Sequence, residues 1–276
     1  MEEPKEESAA FVGHVAKQQL SADEVARMRA QDTRLISEFR AMQLEKNAQK
    51  HWDLFYKRNE VRFFKDRHWT TREFEELLRS GDDSKKPRRL LEVGCGVGNL
   101  MYPLLEDDAA FEQIYACDLS PRAIEFVKSN KLYDPNKVKA FQCDVTDENC
   151  FRDVDCLVDV TTLVFVLSTI HPKKFHKVIS NIWQVTSMNG IVLFRDYGRY
   201  DMAQLRFKPG HKISENFYMR QDGTRSYYFT TEEIRSLFES IGFRTVDCSY
   251  IQRRTVNLKE GIDVPRIFVQ AKFTKT

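Results

Sequence analysis

The sequence predicts an α/β fold with a mostly parallel sheet, wound with helices on both faces and preceded by an N-terminal helical extension. Two observations carry this. In RRLLEVGCGVGNL, Arg88 to Leu100, a β-branched and leucine run turns at Glu92 into a glycine-rich stretch, which reads as strand, tight turn and helix. Beyond it, strand-like and helix-like runs alternate, the pattern of a parallel doubly wound sheet.

The elements follow in order. Residues 1 to 20 are polar and aperiodic and are expected to be disordered. Ser21 with Glu24 reads as a capping box opening a helix in which Val25, Met28, Leu35, Phe39 and Met42 recur at helical spacing. A second helix is expected over Lys46 to Lys57 and a third from Thr70 to near Gly81, so residues 21 to 87 form the extension. Strands are then expected at Arg89 to Val93, Gln113 to Asp118, Val138 to Asp144, Cys156 to Leu167 and Gly190 to Asp196. Helices fall at Asn99 to Leu105, Pro121 to Asn130 and Lys173 to Thr186. A helix from Thr231 to Ile241 leads into Arg244 to Ile251 and Arg266 to Phe273, an antiparallel pair that brings the sheet to seven strands. Residues 197 to 230 interrupt the core after the fifth strand, where ligands bind in open α/β sheets, and are expected to form a substrate lid.

The glycine turn suits a nucleotide-like ligand. Gly94 and Gly96 put no side chain between backbone and ligand, and Gly98 lets the next helix pack close. The acid ending the first strand, the G-x-G-x-G spacing and Asp118 at the next strand end resemble the signature of Rossmann-like class I S-adenosylmethionine-dependent methyltransferases. Dinucleotide folds carry G-x-G-x-x-G instead, and here the third glycine comes one residue early. Asp118 suits both ribose hydroxyls and Asp144 the adenine amine, with the Val145 N–H beside it and Val164 lining the site.

Composition narrows the rest. The net charge of +2 over 276 residues places any nucleic-acid binding in local patches rather than in the whole surface. The longest apolar stretch, Leu163 to Ile170, is far short of the roughly 20 residues of a membrane span. The first residues resemble neither a secretory signal nor a transit peptide, so a cytoplasmic or nuclear location is expected. Six cysteines without C-x-x-C spacing and six scattered histidines predict neither a disulfide framework nor a metal site.

Two strips suit RNA. Lys50 to Arg72 carries seven Lys/Arg against three Asp/Glu, interleaved with Trp52, Phe55, Tyr56, Phe63, Phe64 and Trp69. Arg195 to Arg225 carries seven basic against four acidic residues, with Tyr197, Tyr200, Phe207, Phe217 and Tyr218. Cations hold phosphates while aromatic faces stack unpaired bases. The chain lacks a D-P-P-Y-like segment after the fourth strand and a Pro-Cys pair, which argues against exocyclic-amine and carbon-5 methylation.

The runs WDLFYKRN, FFKDRHWTTREF, LEVGCGVGN, ACDLSPRAIE, FQCDVT, FVLSTIHP, LFRDYGRYD, FYMRQDGTRSYYF and VPRIFVQAKF resemble the eukaryotic tRNA 3-methylcytidine methyltransferases, over nearly the whole chain from about Leu20. The short chain looks most like the methyltransferase-like protein 6 branch. The resemblance implies S-adenosyl-L-methionine as donor, S-adenosyl-L-homocysteine as product, cytidine 32 of serine tRNAs as target and seryl-tRNA synthetase as partner. It also implies that Trp52 and Tyr56 join Gly94, Gly96, Asp118, Asp144, Val145 and Val164 around the cofactor.

The target chemistry then follows. Ring nitrogen 3 of cytosine is nucleophilic in the base plane, so methyl transfer needs alignment more than a strong base. Asp196, ending the fifth strand, is the candidate acceptor for the exocyclic amine as the base becomes cationic; a structural salt bridge to Arg195 or Arg220 is its alternative role. Arg62, Phe63, Phe64, Lys65, Arg67, His68, Trp69, Arg195, Tyr218, Arg220 and Arg225 are the candidate RNA contacts. A methyltransferase for proteins or small molecules, or a non-catalytic RNA-binding adaptor, are the alternatives; basic aromatic strips argue against the first, and intact Glu92, Gly94, Gly96, Asp118 and Asp144 against the second.

Overall fold

A computed structural model describes residues 20–63, 66, 67, 69–78, 88–107, 111–257 and 262–276. The expected disorder of residues 1 to 20 falls almost entirely outside the described residues, as do Phe64, Lys65 and His68.

The N-terminal helices are α1 (Ala22–Asp32), α2 (Glu38–Lys46), α3 (Ala48–Asn59) and the short α4 (Trp69–Glu73). The capping box forms as expected, with the Ser21 hydroxyl accepting from the Glu24 N–H and the Glu24 carboxylate from the Ser21 N–H. The single helix expected through Met42 does not form. It breaks between Asp32 and Glu38, where the Ile36 N–H donates to the Lys212 carbonyl at 2.9 Å and Ser37 starts a new helix by accepting from the Arg40 N–H. Leu35, Phe39 and Met42 are consequently exposed, at 51%, 69% and 63%. A tertiary backbone bond overrode the local periodicity. The third expected helix is likewise cut to α4, followed by a 3₁₀ turn over Glu75–Leu77.

The core sheet holds β1 (Arg88–Val93), β2 (Phe111–Asp118), β3 (Val138–Gln142), β4 (Val158–Val164), β5 (Thr186–Tyr197), β9 (Phe243–Asn257) and β10 (Ile262–Lys275). Their order is β3-β2-β1-β4-β5-β10-β9, parallel from β3 through β5 and antiparallel at β10 and β9. The order reverses between β1 and β4, and ligands of open α/β sheets bind at such a switch point. Helices α5 (Met101–Glu106), α6 (Pro121–Ser129), α7 (Phe175–Val185) and α9 (Thr231–Ile241) make the crossovers. α5 starts two residues later than expected, and β4 stops at Val164 because Leu167–Thr169 curls into a 3₁₀ turn.

The strands are buried on both faces, so they read as apolar runs rather than alternating ones. One face packs Leu91, Phe194, Phe238 and Phe273 with α7 and α9; the other packs Phe74, Leu77, Leu90 and Met101 with Ile124 of α6. Phe238 and Phe273 stack with ring centres 3.9 Å apart. Each fully buried side chain of this size contributes about 1.5–3 kcal/mol.

The insertion after β5 forms α8 (Met202–Leu205) and a separate antiparallel sheet of β6 (Lys212–Ser214), β7 (Phe217–Met219) and β8 (Arg225–Tyr227). It is fastened to the N-terminus: Gln31 Nε2 donates to the Gln204 carbonyl at 2.9 Å, Tyr218 to Gln31 Oε1 at 2.9 Å, and Lys212 Nζ lies 2.5 Å from Asp32. The end of α1 and the insertion are thus joined by side-chain hydrogen bonds and an ion pair. Among the described residues no helix is long and apolar enough to cross a membrane, and no group of three potential ligands gathers to hold a metal.

Candidate active site

The site begins where β1 ends. Gly94 and Gly96 take φ of +67° and +56°, a region that side chains with a Cβ rarely adopt. A Cβ at Gly94 would lie 2.3 Å from Val166 Cγ2, and one at Gly96 would lie 3.0 Å from the Tyr56 hydroxyl. The Cys95 N–H donates to the Cys117 carbonyl at 2.9 Å, which locks the turn to the end of β2.

Asp118, 9% exposed, holds this turn from the β2 side. Its Oδ2 accepts from the Gly96 N–H at 3.0 Å and its Oδ1 from the Ser120 N–H at 2.9 Å. A carboxylate offers about four lone-pair sites, so both oxygens keep acceptor capacity for a ligand. Burial pushes its pKa up to about 6 against these hydrogen bonds. Glu92 is more deeply buried, at 3% exposure, and burial raises its pKa to about 8 although the charge of Arg67 opposes this. Its Oε2 is buried without a hydrogen-bond partner among the described residues. A buried carboxyl oxygen with no partner keeps acceptor capacity for a donor from outside the chain.

At the next strand end, Asp144 Oδ1 accepts from the Thr146 N–H at 2.9 Å and hydroxyl at 2.8 Å, fixing the loop. The Val145 carbonyl is held by Asn181 Nδ2 at 2.9 Å, and Val164 is buried at the end of β4. Trp52 and Tyr56, from α3, reach the same region. Tyr56 is 4% exposed, and its hydroxyl pKa is pushed well up by burial and by Asp118. α3 is held there by Asp53, whose Oδ1 accepts from the Ser120 hydroxyl at 2.6 Å.

Two strands away, Asp196 closes β5. It is fully buried; one oxygen accepts from the Ser168 N–H and the other from the Tyr197 N–H, both at 2.9 Å. Burial raises its pKa to about 6. The Arg195 guanidinium pairs with Glu73, while the charge of Arg220 acts on Asp196 and opposes the effect of burial. The ring of the adjacent Tyr197 lies 5.1 Å from Phe165 and 5.7 Å from Tyr228 between ring centres. Phe165 takes φ of +60°, a strained conformation for a bulky residue at the end of β4.

Several residues read from sequence as RNA contacts are instead internal. Arg195, 4% exposed, pairs with Glu73 at 2.6 Å and lies 4.2 Å over the Trp69 ring, so both Arg195 and Trp69 serve the packing of α4. Glu73 also pairs with Arg253. Arg225, 6% exposed, pairs with Glu45, which also holds Lys174 at 2.7 Å. Tyr218 is fully buried and stacked on Phe207 at 4.7 Å. Buried cations require partners, and these have them within the chain. Arg220 is partly buried with its guanidinium 5.2 Å over the Tyr197 ring, and its charge acts on Asp196. Arg67 also turns inward, donating to the Val164 carbonyl at 3.3 Å. Arg62 and Phe63 remain on the surface. Asp53, Glu45, Ser168 and Gln31 had no sequence signal, since their roles are contacts with distant segments.

A glycine turn under a buried acid pair, at the switch point of this sheet order, defines a Rossmann-like S-adenosylmethionine-dependent methyltransferase. Residues 65–247 match the family model described as a methyltransferase domain. Among solved structures, an S-adenosylmethionine-dependent methyltransferase from Anabaena variabilis superposes with a TM-score of 0.59 at 14% identity, covering 83% of this chain and 96% of that one. The human tRNA N(3)-cytidine methyltransferase METTL6 is 52% identical over 257 residues, 93% of this chain and 90% of the relative. The Drosophila melanogaster tRNA N(3)-methylcytidine methyltransferase Mettl2 is 41% identical, covering 83% and 72%. The Schizosaccharomyces pombe tRNA N(3)-methylcytidine methyltransferase trm141 is 41% identical, covering 87% and 97%. The chain belongs to the tRNA N(3)-cytidine methyltransferase family, and its methyl donor is S-adenosylmethionine.

Proposed function

We propose that this enzyme methylates N3 of cytidine at position 32 in the anticodon loop of serine tRNAs, assisted by seryl-tRNA synthetase. The observation that carries the base chemistry is Asp196: a fully buried carboxylate at the end of β5, held by two backbone N–H groups and followed by Tyr197, whose ring packs near Phe165 and Tyr228. The tRNA set and the synthetase follow from the likeness of the motifs, and the six free thiols suit a cytoplasmic or nuclear location.

When bound, the cofactor supplies a methyl group on a sulfonium and leaves as S-adenosylhomocysteine. The residues present fit that group: glycines where a Cβ would intrude, Asp118 for ribose hydroxyls, Asp144 and Val145 for adenine, Val164 and Tyr56 as apolar walls, and the orphaned Glu92 oxygen for an ammonium. Asp196 accepts from the exocyclic amine, and this interaction strengthens as positive charge moves onto the ring. No proton has to leave N3, so Asp196 orients and stabilises rather than acting as a strong base. Because N3 lies on the Watson–Crick edge, the cytidine enters unpaired and splayed from its neighbours. Arg62 and the exposed Phe63 are the surface contacts assigned to the loop.

The test is methylation of total tRNA and of serine tRNA transcripts with labelled cofactor, with and without seryl-tRNA synthetase, followed by nucleoside identification. 3-Methylcytidine confined to position 32 of serine tRNAs is expected. Equal modification of other tRNAs, or loss of none on changing cytidine 32, would reject the specificity.

A further inference from the structure

Arg67 lies in a basic and aromatic run, but its position is set by the cofactor side of the molecule. Its N–H donates to the Asn99 carbonyl at 2.7 Å, and Asn99 Nδ2 donates to Asp66 Oδ1 at 3.1 Å. Residues 66 and 67 are therefore pinned to the turn just after Gly98. From there the side chain runs inward: Nη1 donates to the Val164 carbonyl, and the guanidinium lies 5.6 Å from the Phe165 ring centre. Burial lowers the Arg67 pKa, and the charge of Glu92 is the largest influence opposing this. The guanidinium thus belongs to the carboxyl edge between β1 and β4, beside the glycine turn and Glu92.

We propose that Arg67 anchors the α-carboxylate of the cofactor's amino-acid tail, making it a cofactor residue rather than a phosphate contact. That tail is a zwitterion, and the site offers a guanidinium for the carboxylate and the orphaned Glu92 oxygen as an acceptor for the ammonium. A planar fork suits a carboxylate better than a point charge does, and here the plane is held by a strand-end carbonyl and an aromatic ring. A phosphate contact, in contrast, needs a cation that reaches out to solvent, and Arg67 is aimed at the sheet. The proposal rests on the cofactor and not on the identity of the tRNA.

Calorimetry on wild type, Arg67→Ala and Arg67→Lys with S-adenosylhomocysteine and with 5′-methylthioadenosine, which lacks the tail, tests it. For Arg67→Ala, affinity for S-adenosylhomocysteine should fall about 10- to 100-fold, while that for methylthioadenosine stays within about twofold. Arg67→Lys should recover part of the loss, and the salt slope of tRNA binding should not change. Equal weakening of both ligands, the mark of a structural role, overturns the proposal. So does unchanged S-adenosylhomocysteine affinity with a tRNA salt slope reduced by about one. If Arg67→Ala does not fold, the wild type decides: a similar loss is expected between S-adenosylmethionine and its decarboxylated form, and equal affinities overturn the assignment. A wild type that binds none of these nucleosides overturns both this proposal and the cofactor assignment.

Discussion

The Ser120 hydroxyl donates to Asp53 Oδ1 at 2.6 Å, and the same oxygen accepts the Arg122 N–H at 3.3 Å. A carboxylate from α3 thereby sits at the first turn of α6, where negative charge is favoured. This joins the helix carrying Trp52 and Tyr56 to the turn that follows Asp118. Asp53→Ala should loosen α3 and weaken S-adenosylhomocysteine binding by roughly tenfold, since hydrogen bonds to charged groups contribute about 1.5–3 kcal/mol. Calorimetry on the folded variant checks this; unchanged affinity would show that α3 does not shape the cofactor site.

Asp118 and Gly94 test the cradle directly. Asp118→Ala removes the acceptor proposed for the ribose and the brace of the Gly96 N–H, at an expected cost of about 1–3 kcal/mol or more in binding. Gly94→Val places a side chain where even a Cβ meets Val166 at 2.3 Å, and should abolish binding. Normal methylation by a folded Gly94→Val protein would be decisive against the assignment.

Asp196 links pH to both rate and stability. Its folded-state pKa of about 6 stands above the ordinary carboxylate value of about 3.9, so the folded protein binds the extra proton between them. The stabilising contribution is therefore fully present below about pH 4 and is lost as pH rises through about 6. The rate should follow the opposite course, rising as the acceptor ionises. Asp196→Asn should slow single-turnover methyl transfer by roughly 10² to 10⁴-fold with both affinities kept, and should flatten the stability profile between those pH values. A stable variant with a full rate sinks the catalytic role.

Arg195 should behave as a structural cation. Arg195→Ala removes one of the two guanidinium partners of Glu73 and uncovers Trp69, while Arg253 keeps the carboxylate paired, so a loss of about 1.5–3 kcal/mol of stability is expected, in the range for a hydrogen bond to a charged group. Denaturant unfolding measures it. A fully stable variant with weakened tRNA binding would return Arg195 to the RNA surface.

Arg62 differs, being exposed beside Glu60. Arg62→Ala should leave cofactor affinity and melting temperature unchanged and reduce the salt slope of tRNA binding by about one. Arg225→Ala should instead lower the melting temperature, because it uncouples β8 from Glu45 of α2. An unchanged slope for Arg62→Ala would move the RNA path elsewhere.

The sequence by itself determined the alternating strands, the glycine turn, the acids at successive strand ends and the capping box at Ser21. These are local signals: apolar runs of strand length, φ values that glycine alone adopts readily, and side chains that bond to their own neighbours. The tertiary structure decided which cations face inward. Arg67, Arg195 and Arg225 look alike in a basic run, yet each is directed by a partner far away in the chain: Val164, Glu73 and Glu45. It also decided the break between α1 and α2, since the Ile36 N–H finds its acceptor at Lys212. Burial of a charge depends on what the fold brings opposite it, and residue spacing carries no record of that.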